Sequence, residues 1–182
     1  MRTKKSRPRS KVQEVYYSMK RRCTEAYVRA GHPTYAGCFV CEDWQDFSNF
    51  VEWFNRNWRE GYTLDKDILV PGNREYGPRT CAFVPQEINK LLLKHDSHRG
   101  RAPLGVNPDR NGWSASIQRH GKTCHIGYFK TPEEAHAAYL VEKCGHIRKI
   151  AWEQLDAGRI EPGVYAGLLR HADIYRRGEL VC

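Results

Sequence analysis

Four cysteines, a lopsided charge distribution and a run of aromatic rings are the first features of this chain that could do chemistry. Cys38-Phe-Val-Cys41 has the spacing of a zinc knuckle. Thiolates are strong ligands for Zn²⁺, and Cys23 and Cys81 could complete four ligands if a hairpin lay beside the pair. The competing reading is four core thiols, because cysteine is among the most buried residue types. Lys and Arg are concentrated in two places. Residues 1–22 carry a net +8 and residues 99–150 a net +5, whereas 23–98 carry −3 and 151–182 carry −1. Two separated positive patches suit a polyanion, most simply nucleic acid, although a high isoelectric point also keeps a protein soluble. Phe39, Trp44, Phe47, Phe50, Trp53, Phe54 and Trp58 crowd into one short stretch. Bases can stack on such rings, but buried helix packing is their commoner use.

The elements that position these groups follow from composition and pattern. The 182 residues make one ordinary domain or two small ones. With 40% hydrophobic and 28% charged residues, a mostly disordered chain is excluded. No apolar run approaches a membrane span, and Met1–Ser10 lacks the apolar centre of a secretory signal. Seven cysteines, an odd number, then read as reduced thiols or a metal site in a cytoplasmic setting, with no membrane partner.

Residues 1–22 read as a basic arm and helix, with Val12, Val15, Tyr16, Met19, Cys23, Ala26 and Tyr27 predicting one helix over 12–30. Phe47, Phe50 and Phe54 share a helical face. Residues 62–70 and 81–84 read as two strands, and Pro85 opens a helix. The polar, Gly/Pro-containing stretch 94–103 reads as a linker between a first module, 23–93, and a second, 104–155. In the second, Asn111-Gly112 and His120-Gly121 mark turns between strands at 104–107, 112–119 and 122–129. Thr131-Pro-Glu-Glu134 is a capping box that starts a helix reaching as far as Leu155. A helical tail occupies 156–182, centred on 163–177. Alternation puts Ala115, Ile117 and Ile126, and after the glycine Phe129, on the helix-packed face of the sheet, leaving Ser114, Ser116, Gln118 and His125 on the open face with Arg110, Arg119 and Lys122 at the turns. A three-stranded sheet with such a face fits a DNA major groove.

Gly105-Val106, Trp113-Ser-Ala-Ser-Ile117, Ile126-Gly-Tyr-Phe129, Thr131-Pro-Glu-Glu-Ala135 and Ala137-Ala-Tyr139 occur in order and at compatible spacing. In these residues the second module resembles the Apetala/ethylene-response-factor (ERF) DNA-binding domain. The resemblance implies base-contact positions at Asn107, Ser116, Gln118, Thr123 and His125. These positions are less basic here than in the plant domains, so no target sequence carries over.

Leu64-Asp-Lys-Asp67, Gly72-Asn73, Tyr76-Gly-Pro78, Thr80-Cys81 and Phe83 follow the lead-in segment Cys41–Trp53. Through them the first module resembles a phage branch of the HNH (His-Me finger) endonucleases, in which a companion ERF-like domain recurs. The resemblance implies a Mg²⁺ or Mn²⁺ ion held by Asp65 and, from the helix, Asn89. Asp67, Asn73 and Glu75 are candidate further oxygen ligands. Lys66 stands where the family has its base His, and Thr80 where it has an Asn. A cationic Lys66 suits electrostatic stabilisation of a phosphate better than proton abstraction. His95 and His98 lie just beyond the helix.

The expected fold is therefore α+β: an HNH-like ββα-metal module, then a three-stranded antiparallel sheet packed on a helix, with a C-terminal helical tail. The expected function is a homing-type endonuclease, phage-encoded and acting on double-stranded DNA in a bacterial cytoplasm. Its alternative is a DNA-binding protein that keeps the nuclease frame without activity. A third class, an RNA-binding or virion-associated protein, would use the same charge. Oligomeric state is left open.

Overall fold

The computed structural model describes residues 9–92 and 102–179. Most of the expected linker at 94–103, His95, His98, the first eight residues of the basic arm and the last three residues of the tail lie outside the described residues. The chain is mixed α and β and divides into two compact units between Phe83 and Val84. Among the described residues no helix is long and apolar enough to cross a membrane.

The first unit begins with α1 (Lys11–Arg22), which opens where the Gln13 side chain accepts from the Ser10 N–H at 3.1 Å. The helix expected over 12–30 does not run through. Thr24 breaks it, donating its hydroxyl to Arg21 O at 2.8 Å and capping Tyr27 N at the start of α2 (Glu25–Arg29). Tyr16 and Met19 are the residues of α1 that bury. They meet α3 (Phe47–Asn57), which Asp46 caps through Ser48 N at 2.8 Å. The aromatic run from Trp44 to Trp58 is thereby core or packed on it, whereas Phe39 is exposed. Trp44 and Phe50 are fully buried, Trp44 lies 4.7 Å from Trp53, and Phe54 stacks on Trp58 at 5.3 Å. The Tyr16 hydroxyl reaches Trp44 O and Gln45 O, both at 3.1 Å.

Four short strands follow. β1 (Phe39–Val40) runs parallel to β3 (Glu75–Tyr76), and β2 (Tyr62–Asp65) pairs with β4 (Ala82–Pro85). The strand expected over 62–70 stops at Asp65 because that carboxylate bends the chain. Asp65 Oδ1 accepts from the N–H groups of Asp67 (2.9 Å) and Ile68 (2.8 Å), an Asx turn that replaces ladder pairing.

The second unit opens with α4 (Gln86–Leu92) and continues to an antiparallel sheet of β5 (Val106–Asp109), β6 (Gly112–Arg119) and β7 (Lys122–Phe129). One face packs on α5 (Pro132–Asp156), whose Thr131/Glu134 capping box is present as the sequence predicts. Val106, Ala115 and Ile117 bury against Ala135 and Tyr139. Gly105, at φ +78°, lies under the Tyr139 ring, and a Cβ there would come within 2.0 Å of Cδ2. That contact explains why glycine precedes Val106. α6 (Pro162–Arg177) packs along α5 and ends at Gly178 in the left-handed conformation.

Candidate functional site

The β6–β7 ribbon carries the polar face that alternation requires. Ser114, Ser116 and Gln118 on β6 stand opposite Tyr128, His125 and Thr123 on β7. Asn107 on β5 stands opposite Ser114. The strand phase shifts once. Ala115 opposes Gly127 and Ser116 opposes His125, so Ile126 is an extra residue, a β-bulge. Ile126 and Phe129 both join the core side. Tyr128 is therefore sent to the open face, where it is 71% exposed and lies 4.5 Å from the His125 ring. Sequence reasoning missed Tyr128. The available signal was Gly127 inside a strand, a common mark of a bulge.

Several open-face groups are oriented by one another. Gln118 Nε2 donates to Thr123 Oγ1 at 2.7 Å. Asn107 Nδ2 reaches Ser116 Oγ at 3.5 Å, and Ser114 Oγ donates to Asn107 O at 3.4 Å. These bonds hold side chains but leave most of their donor and acceptor capacity facing outward. Arg110 and Lys122 are exposed at the two hairpin turns.

Arg119 is placed differently from the expectation. It follows the open-face position Gln118 by one residue, so it turns to the helix side and its Nη2 bonds Glu142 Oε2 on α5. It stands beside a buried cationic group that the sequence did not reveal. Lys143 and His146 both bury on α5. Lys143 Nζ donates to Leu91 O at 2.7 Å, tying α4 to α5. Burial lowers Lys143 to about 8. Burial first, then the positive charges of Lys143, Arg119, His120 and Lys149, lowers His146 to about 4. His146 is thus neutral at pH 7.

In the first unit, Asp65, Lys66, Asp67, Asn73 and Thr80 gather in and beside one loop. Lys66 is only 8% exposed. Its ammonium donates to Asn73 O at 2.8 Å and to Asp67 Oδ2 at 3.1 Å. The Asn73 amide donates to Lys66 O and Glu75 O, both at 2.7 Å. Thr80 Oγ1 donates to Glu75 O at 2.9 Å. Burial, and then the neighbouring Asp67 carboxylate, raises Asp65 to about 7. Asp65 Oδ1 accepts from the Asp67 N–H, which keeps the two carboxyl groups side by side. Two adjacent carboxylates of this kind suit a hard divalent cation, and Mg²⁺ commonly takes one or two carboxylates together with substrate phosphates. Asn89 lies on α4, in the second unit.

Among the described residues no three or more His, Cys, Asp or Glu come together in a way that could hold a metal. Of the four candidate zinc ligands, Cys38 and Cys81 are buried and Cys23 and Cys41 are half-buried, all as free cysteines. Desolvation raises Cys23 to about 11 and Cys81 to about 12, so both are thiols at neutral pH. Cys38 faces Lys66, and Cys41 packs against Gly77.

No family model, curated protein or solved structure matches the chain. The functional reading therefore stands on the geometry above and on the sequence motifs.

Proposed function

We propose that this protein binds double-stranded DNA by laying the open face of the β6–β7 ribbon in the major groove. The observation that carries the reading is the polar face itself, backed along its length by α5. Eight residues per strand span about 26 Å, and a two-stranded ribbon fits a groove about 12 Å wide. Arg110 and Lys122 at the turns would hold phosphates, and the polar side chains between them would reach base edges. The order and spacing of the ERF-like motifs add to this reading, as does the net +5 of residues 99–150.

A second reading rests on the Asp65–Asp67 pair. The chain would then hydrolyse phosphodiester bonds as a homing-type, HNH-like endonuclease. Asp65 and Asp67 would hold Mg²⁺ or Mn²⁺, which when bound polarises the scissile phosphate and acidifies water. Lys66 anchors Asp67 and the carbonyl of Asn73, while Asp65 is held by the N–H groups of Asp67 and Ile68. With its ammonium committed to the loop, Lys66 serves as a clamp rather than as a base. Thr80 likewise holds the turn at Glu75. These commitments favour the non-catalytic form of the protein, so DNA binding is the primary conclusion.

Titration of a duplex at several salt concentrations tests that conclusion, with an RNA duplex of the same sequence as control. Salt-sensitive binding that prefers DNA is expected, because A-form RNA hides its major groove. Equal or tighter binding of RNA would overturn the proposal. Supercoiled-plasmid nicking with and without Mg²⁺ or Mn²⁺ separates the two readings. Metal-dependent nicking lost in Asp65→Ala establishes the nuclease. Binding without nicking establishes the binding protein.

A further inference from the structure

We infer that the ribbon selects A·T-containing sites, with Gln118 as an adenine reader. The inference rests on the DNA-binding reading above. Its basis is the absence of cationic side chains from the middle of the open face. Between the turns, the ribbon presents Ser114, Ser116, Gln118, Thr123, His125 and Tyr128, with no Lys, Arg, Asp or Glu among them.

The major-groove code makes this composition informative. Guanine offers two acceptors, O6 and N7, and is read by Arg or Lys. Adenine offers an acceptor, N7, beside a donor, N6–H. It is read by a group that both donates and accepts, which Gln and Asn amides supply. Arg119, one position beyond Gln118, would be the natural guanine reader. It is on the helix side instead and bonded to Glu142.

Gln118 is also prepared for the task. One N–H of its amide goes to Thr123 Oγ1 at 2.7 Å, which fixes the plane of the amide. A second N–H and both lone pairs of Oε1 remain for a base. Adenine N7 and N6 would take those two sites together. Immobilising the side chain before binding lowers the entropy lost on docking. Tyr128, exposed and braced by His125, adds an apolar ring that can lie against a thymine methyl group.

The test is selection of bound duplexes from a random pool by the full-length protein, followed by titration of the enriched duplex. An enriched motif dominated by A·T pairs is expected. Replacing the contacted adenine by 7-deazaadenine removes N7 while keeping base pairing. It should weaken binding by the wild type about tenfold and leave Gln118→Ala nearly unaffected. Gln118→Arg should move the preference at that position towards guanine. A wild-type urea-unfolding midpoint for Gln118→Ala verifies that the variant is folded. A motif dominated by G·C, duplex binding with no base preference, or a motif unchanged in Gln118→Ala overturns the inference while leaving DNA binding intact. Failure to bind any duplex overturns the DNA reading and this inference with it.

Discussion

The loop after β2 and the ribbon of β6 and β7 use polar side chains in opposite ways. In the loop, Asn73 and Thr80 spend their hydrogen bonds on the backbone of their own segment, and Lys66 on the Asn73 carbonyl and the adjacent Asp67 carboxylate. On the ribbon, Gln118 and Asn107 make one side-chain bond each among the polar groups of the open face and otherwise face outward. Polar groups satisfied from within hold a shape. Polar groups held by a neighbour yet open to solvent are prepared for a ligand. The loop contains one exception, the Asp65–Asp67 pair, where two like charges are held together at a cost in stability.

The comparison can be broken most forcefully at Lys66. Lys66→Met leaves Asn73 O without its donor and Asp67 without its cation. It should destabilise the first unit by about 3 kcal/mol, read as a shift in chemical denaturation with faster hydrogen exchange over 66–75. A loss under about 0.5 kcal/mol would contradict the clamp assigned to this ammonium.

Next in size is a pH effect in the second unit. His146 is lowered from 6.5 to about 4 in the folded state, so between those values the unfolded chain binds the extra proton. The stability contributed by neutral His146 is full above pH 6.5 and is lost as pH falls towards 4. The loss is on the order of 2–3 kcal/mol. His146→Leu should flatten denaturation midpoints across that window. A pH dependence identical to wild type would contradict the placement of this ring.

Asp65 has the opposite sign of linkage. Its folded value is raised from 3.8 to about 7, so the folded chain binds the extra proton between these values. Stability falls as pH rises through that window and stays lower above it. Asp65→Asn keeps an oxygen for the two backbone N–H groups. It should match the wild type near pH 4 and exceed it by roughly 1–2 kcal/mol at pH 8, measured by urea unfolding. A variant less stable at pH 8 would show that the carboxylate supports the loop rather than straining it.

The distance between sequence and structure follows the same contrast. The sheet and its helix were legible because Asn111-Gly112, His120-Gly121 and Thr131-Pro-Glu-Glu134 are local signals whose geometry is fixed within a few residues. Side-chain bonds to the backbone were not. Thr24 breaks the first helix and Asp65 ends β2, and neither bond leaves a trace in hydrophobic period. Period-2 counting also fails at a bulge, which is how Tyr128 was missed. Arg119 looked like a turn residue until its register placed it on the helix side. Lys143 and His146 were hidden because a lysine or histidine inside a long helix reads as solvent-facing until a neighbouring element covers it.

The smallest expected effects belong to the ends of the ribbon. Arg110→Ala and Lys122→Ala should each weaken duplex binding almost uniformly across sequences and reduce the salt slope by about one, measured by anisotropy titration. A change of base preference in either variant would mean that the turns read sequence.

The most direct measurement of the central claim is the affinity of the full chain for its selected duplex when Ser116, Gln118 and His125 are replaced together by alanine. All three project from the face away from α5 and carry no core packing, so the variant should unfold at the wild-type midpoint. The account predicts loss of sequence preference, with salt-sensitive residual binding retained. Undiminished preference in a folded variant would show that the open face of this sheet is not what reads DNA.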